Sequence, residues 1–230
     1  MAADEFSDYP PAVIHLERVS YTDPDPERTL ALMPDLVIFA EQQQQQIEQF
    51  RRLGMPVLFA REPKTIDGVF DSILMLGRVT GHAPMAQTLV SDMQRRIDIV
   101  VTRVADMESS PTVFYELTDD LYTAGPETFI GGMLQLLHAE NIAAGTTSPF
   151  PQLTAEAVLA ADPQIILLAD GEWVSIESVA QRPGWAGIAA VTNGRVHPIN
   201  PDLGNRPGPR IVDAIEEMAR VIYPERFPER

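Results

Sequence analysis

The stretch "TAEAVLAADPQIILLAD", Thr154–Asp170, repeats in outline an earlier one, "DPERTLALMPDLVIFAE", Asp25–Glu41. With Glu27 set on Glu156, Leu30 meets Leu159, Ala31 meets Ala160, Pro34 meets Pro163, and Val37-Ile38 meet Ile166-Leu167. One offset, 156 − 27 = 129 residues, serves the whole alignment. Each copy writes a glutamate, a short helix, a proline and a buried strand. Asp25 and Thr154 are residue types that cap helix starts, and an acid in the first turn is favoured by the helix dipole. Helix-start chemistry is therefore one account of both glutamates. The other is that each copy displays one carboxylate at an equivalent surface point, so that the pair meets a two-fold partner.

Outward from the two copies, short apolar runs bounded by breakers read as strands: Asp35–Ala40, Pro56–Ala60, Pro111–Leu117, Gln164–Ala169 and Gly194–Ile199. Helical patterns fall between them at Gln42–Leu53, Ile66–Leu76, Glu127–His138 and Pro209–Ile222. Strands alternating with helices predict parallel sheets with helices on their faces. The run "QQQQQ", Gln42–Gln46, leads into Ile47, Phe50 and Leu53 at helical spacing and reads as the solvated face of a helix.

One segment breaks the alternation. Met85, Leu89, Met93, Ile97, Val100, Val104 and Met107 recur at steps of three and four. Pro84 suits a first helical turn, and Ser109-Ser110-Pro111 ends the pattern. The spacing predicts a single helix of about six turns, roughly 35 Å long, between the two copies of the repeat. Either it is a long core helix of one domain or it is a rigid strut joining two similar lobes.

Composition narrows the function. There are 230 residues, 45% of them apolar, enough for one large domain or two small ones. No apolar run approaches the ~20 residues of a membrane helix. The opening "MAADEFSDYPPAV" has no apolar core of the kind an export signal carries, so no signal peptide is expected in it. The absence of cysteine excludes disulfides, thiolate metal sites and cysteine nucleophiles. A net charge of −16, from 33 acids and 17 bases, argues against nucleic acid as a partner. Lys64 is the only lysine, which reads as a compositional habit.

Enzyme fingerprints are missing. Neither G-x-G-x-x-G after a strand nor G-x-x-x-x-G-K-[ST] occurs, nor do G-x-S-x-G and H-E-x-x-H. "IGGML", Ile130–Leu134, is two glycines in a helical pattern, too little to hold a phosphate. The four histidines, His15, His82, His138 and His197, are scattered singly, so no metal site is expected.

Three motifs in order resemble the substrate-binding proteins of ABC importers for cobalamin, iron–siderophores and haem. They are "DPERTLALMPDLV" (Asp25–Val37), "LLHAENIAAGTTSPFPQLTAEAVLAADPQIIL" (Leu136–Leu167) and "PGWAGIAAVTNGRVHPIN" (Pro183–Asn200). The resemblance runs from Ser7 over nearly the whole chain. It implies an α/β fold, two Rossmann-like lobes with mostly parallel sheets, bridged by one long α-helix. The boundaries expected are 1–80 for the N-terminal lobe, 81–110 for the bridging helix and 111–230 for the C-terminal lobe. It also implies that Glu27 and Glu156 dock onto arginines of a two-fold permease, which explains why the unit is written twice.

The chain departs from that pattern at its start. It enters at "DEFSDYP", so roughly the first βα unit of the first lobe is expected to be absent, leaving a sheet edge or an apolar surface uncovered. "HAENI" also stands where the family writes "GGENI".

The resemblance places a ligand between the lobes, against loops that follow strands. By position the ligand-binding candidates are Tyr21 in the first lobe and Tyr122, Phe150, Asp202, Leu203 and Arg206 in the second. Edge packing is the alternative for Tyr122 and Phe150, and for Arg206 it is an ion pair with Asp202, four residues earlier. The expected ligand is a cobalamin, a ferric siderophore or haem. No catalysis and no resident cofactor are expected. The partners expected are an ABC permease dimer and the small ligand, with the protein itself a monomer outside the cytoplasm. The rival readings are a ligand-binding sensor or orphan module without a transporter and, further off, a Rossmann-type enzyme.

Overall fold

A computed structural model describes residues 1–107, 109–171 and 174–228. The chain divides into two compact units, Met1–Glu62 and Pro63–Arg230. The division falls earlier than the expected boundary at residue 80, because the helix at 66–79 packs with the second unit.

In the first unit, β1 (Ala2–Asp4) runs parallel to β2 (Glu17–Val19). Helix α1 (Pro26–Ala31) follows, then β3 (Val37–Phe39), α2 (Ile47–Arg52) and β4 (Val57–Phe59), which pairs parallel with β3. Phe39, Ile47, Phe50 and Met55 form a small core, with Phe39 and Phe50 edge to face at 4.8 Å.

The glutamine run differs from its expected role. Residues Glu41–Gln46 form a 3-10 helix ahead of α2. Gln43 is buried: its Oε1 accepts from the Ala40 amide at 2.9 Å and its Nε2 donates to the Tyr21 carbonyl at 2.6 Å. Gln46 Nε2 donates to the Thr22 carbonyl at 2.9 Å. The Tyr21 hydroxyl donates to Gln42 Oε1 as well, so three glutamines fasten the Tyr21–Thr22 loop to this helix, and only part of the run is a solvated face.

The second unit opens with α3 (Ile66–Val79) and α4 (Ala83–Val104). These helices approach closely near their shared turn: a Cβ on Gly77 would lie 2.3 Å from that of Ala86. Then come β5 (Thr112–Glu116), α5 (Phe129–Leu136), β6 (Glu140–Asn141), α6 (Ala155–Ala161) and β7 (Ile165–Leu168). The remainder is α7 (Ile176–Gln181), α8 (Ala189–Thr192), β8 (Val196–Pro198), α9 (Pro201–Gly204) and α10 (Ile211–Ile222). The four strands form a wholly parallel sheet in the order β6-β5-β7-β8. Successive residues of β5 and β7 enter opposite layers. Val113, Tyr115, Ile165 and Leu167 join the larger core with α3, α4, α5 and α10. Phe114, Ile166 and Leu168 join the smaller one with Val158, Val179 and Trp185. Burial on both faces is why these strands read as unbroken apolar runs.

Helix α4 is the long helix that the spacing predicts. It gives its buried face to the larger core and is clamped to α10 by Arg96, whose guanidinium donates to Asp213 at 2.6 Å and to Glu216 at 2.8–2.9 Å. Its stripe is Ala86, Val90, Met93, Ile97, Val100 and Val104; Met85 and Leu89 are 68% and 37% exposed. The expected stripe drifted because it stepped by fours. At 3.6 residues per turn, Met85 stands about 120° from Ile97, whereas Ala86 stands about 20° from it.

The repeat survives as backbone. Helices α1 and α6 and strands β3 and β7 keep the 129-residue offset. The buried residue of each helix, Thr29 and Val158, keeps it too. So do the left-handed residues that end them, Met33 (φ 48°) and Asp162 (φ 43°). The partner strands match as well, with Val37 opposite Val57 and Ile166 opposite Val196. One difference stands out: β7 pairs on both sides but β3 only on one. Ile38, the counterpart of fully buried Leu167, is 49% exposed.

Candidate functional site

The two glutamates stand where the repeat puts them. Asp25 caps α1, its Oδ1 accepting from the Glu27 amide at 2.9 Å and the Arg28 amide at 3.1 Å. Thr154 caps α6, its hydroxyl accepting from the Ala157 amide at 3.2 Å. Glu27 and Glu156 are thereby held in the first turn of their helices. Both are exposed, and neither carboxylate has a hydrogen-bond or ion-pair partner among the described residues. Helix-start chemistry and display at the surface hold together rather than compete.

The six ligand-contact candidates fall into three groups. Tyr21, in the first unit, donates its hydroxyl to Gln42 Oε1 at 2.7 Å and its amide to Glu5 Oε2 at 2.7 Å, and meets Phe6 edge-on. Burial, then the carboxylates of Glu62 and Asp4, hold its phenol above the ordinary tyrosine range.

Tyr122 and Phe150 are both exposed on a two-stranded edge of the second unit. The Thr123 amide donates to the Pro151 carbonyl at 3.0 Å, Gly125 to Pro149 at 2.8 Å and Leu153 to Leu121 at 3.0 Å. With Tyr122 opposite Gln152, this register puts the two aromatic residues on one face. Asp202 and Leu203 lie in α9. Asp202 pairs with Arg206 at 3.0 Å, and Leu203 is half-buried against the larger core.

Residues that the spacing did not single out hold this end of the sheet. Asn205 bridges the last loop to the strands, accepting from the Tyr115 hydroxyl at 2.8 Å and donating to the Ala169 carbonyl at 2.8 Å. Fully buried Glu116 is gripped by both ends of the Arg182 guanidinium at 2.6 Å, and that guanidinium lies over the Trp185 ring. Asp170 follows β7 with neither carboxylate oxygen hydrogen-bonded among the described residues. The three hydrogen-bonded contacts have no sequence signal, since their partners are 36 to 90 residues apart.

The second unit also carries an open recess of about 700 Å³, between the starts of α3 and α5 and the middle of α4. None of the six candidates lines it. Lys64 stands at its rim.

His197 is half-buried on β8, and burial together with Arg195 lowers its pKa. Among the described residues no group of three or more His, Asp or Glu is placed to hold a metal ion, and no helix is long and apolar enough to cross a membrane.

Comparison with known proteins agrees with this architecture. Residues 7–203 match the periplasmic binding protein family. An ABC transporter substrate-binding lipoprotein of Bacillus subtilis, itself uncharacterised, is 34% identical over 229 residues, covering 96% of this chain and 72% of that protein. A cobalamin-binding protein of Halobacterium salinarum is 32% identical over 220 residues, 93% of this chain, and the chain spans 57% of its length. Among solved structures, a protein of Staphylococcus epidermidis described as a possible iron-binding periplasmic solute-binding protein superposes with a TM-score of 0.86. It is 26% identical and covers 97% of this chain and 90% of its own. The family is one of solute-binding proteins rather than enzymes. With a parallel α/β fold, a helix–strand unit written twice and a match over most of its length, this chain belongs to the periplasmic binding protein family.

Proposed function

We propose that this chain is the capture subunit of an ABC importer. It takes up a cobalamin or an iron chelate outside the cytoplasm and presents it to a two-fold permease through Glu27 and Glu156. The observation that carries this reading is the repeat. Two carboxylates, 129 residues apart, sit at the same turn of equivalent helices, exposed and without hydrogen-bond or ion-pair partners among the described residues. A monomeric binder has no need to build one acidic knob twice, whereas a symmetric receiver does. The relatives and the solved structure, named for ABC transport, cobalamin and iron, support the same reading. The ligand-contact candidates remain Tyr21, Tyr122, Phe150, Asp202, Leu203 and Arg206, which offer aromatic faces and a charged pair to a large flat ligand.

Thermal unfolding of the purified chain with cyanocobalamin, hemin and a ferric siderophore tests capture. A ligand at one hundred times its Kd adds about 2.7 kcal/mol, a Tm rise of roughly 5–10 °C for a chain of this size. No rise with any of them, in a chain that melts cooperatively, overturns the proposal.

A further inference from the structure

The recess in the second unit has the construction of a small-molecule contact surface. Its volume of about 700 Å³ lies in the range of ligand pockets. Its floor is apolar: Phe70 and Ile97 belong to the larger core, and Ile66 and Leu136 pack on it. It opens beside the start of α5, the helix after β5, at the carboxyl edge of the sheet, where open α/β sheets hold their ligands.

The rim is polar and uncommitted. Lys64, Asp67, Gln94, Asp98, Glu127 and Gln135 line it, and none of these side chains has a hydrogen-bond or ion-pair partner among the described residues. That sets three carboxylates and two amides against one ammonium. Two helix N-termini also meet here and on their own would favour an anion. Their capping needs are met internally, however. The Thr65 hydroxyl accepts from the Gly68 amide and the Thr128 hydroxyl from the Gly131 amide, both at 3.0 Å. Asp67 lies within the first turn of α3, so its charge offsets that helix's dipole.

Resting on the carrier reading above, we infer that this recess receives one edge of the ligand and selects its charge class. It accepts an uncharged or cationic ligand whose rim is rich in amides, as a corrinoid's is. It disfavours carboxylate- or catecholate-bearing chelates. Carboxylates and glutamine amides accept hydrogen bonds from amide N–H groups, but an anionic rim repels a second set of anions.

Gly132 gives the direct test. A Cβ there meets only Ile66 Cδ1, at 3.9 Å, so a larger side chain grows into the recess without displacing the core. Gly132→Leu should weaken binding of cyanocobalamin and of the cationic cobinamide by roughly tenfold or more. The melting temperature without ligand should not fall. Asp98→Asn with Glu127→Gln should strengthen hemin and ferric siderophore binding by about three- to tenfold and so narrow the preference for cyanocobalamin over them. Lys64→Gln should weaken the anionic ligands further.

Wild-type affinity for hemin or the siderophore equal to that for the corrinoids overturns the charge selection and leaves the carrier reading standing. So does an unchanged anion affinity in the neutralised double variant. Unaltered corrinoid binding by Gly132→Leu removes the recess from the site. Binding of none of these ligands sinks this inference and the carrier reading together.

Discussion

Met33 is a methionine where the backbone asks for glycine. Its φ of 48° is left-handed, it is 85% exposed, and it ends α1 as Asp162 ends α6. Aspartate tolerates that conformation better than methionine does. Met33→Gly gives up little contact and should raise unfolding stability by about 0.5–1 kcal/mol, read from urea denaturation.

Asp170 offers a second test at this scale. Burial foremost, then the Glu116 carboxylate, raises its pKa, with Arg182 pulling the other way. A carboxyl whose folded pKa is raised contributes stability below the unfolded value, ~3.9, and loses that contribution as pH climbs through the folded one. At neutral pH that contribution is reduced, and the raised pKa weighs against folding. Asp170→Asn should melt higher than the parent chain at pH 7, with the gap closing as pH falls toward about 4. A gap that widens on acidification would contradict this. Sequence made the caps at Asp25 and Thr154 readable because a cap lies within three residues of its amides. It left the Glu116–Arg182 grip invisible, because that contact exists only once β5 and the turn after α7 are folded together.

At the scale of elements, the strands were readable for a physical reason. Each of the five that the pattern marks is a short apolar run closed by breakers, and each forms within those bounds. The strands at 2–4, 17–19 and 140–141, written AAD, ERV and EN, are not apolar runs, so the pattern does not mark them. Helix α4 shows a subtler limit. Met85-Ala86 and Leu89-Val90 are adjacent apolar pairs, so hydrophobicity alone does not choose the phase. The angle per residue does, and it selects Ala86 and Val90. The phase has a measurable consequence. Met93→Ala, at a position 2% exposed, should cost about 2–4 kcal/mol. Met85→Ala should stay within about 0.5 kcal/mol of the parent chain. Equal losses in guanidinium unfolding would mean that the helix is rotated from the orientation described.

For the molecule as a whole, the repeat was readable because it lies in sequence order. The ligand was not, because the contacts proposed for it come from separate loops and from a recess rim that no spacing announces. Lys64, dismissed as compositional, stands on that rim. The docking proposal makes a demand on the whole molecule that neither unit can meet alone. Exposed charges at the edge of an interface act mainly on encounter rate and its salt dependence. Reversing one, as Glu27→Lys or Glu156→Lys, should slow association with the cognate permease in nanodiscs by roughly three- to tenfold. The double reversal should slow it by about the product of the two and flatten its dependence on ionic strength, since the sites belong to separate compact units. Both positions are exposed and neither carboxylate has a hydrogen-bond or ion-pair partner among the described residues, so melting temperature and ligand affinity should hold. If one reversal alone abolishes the effect of the other, the two carboxylates do not act as a symmetric pair. If the double reversal leaves association and its salt dependence intact, the duplicated helix starts serve folding only.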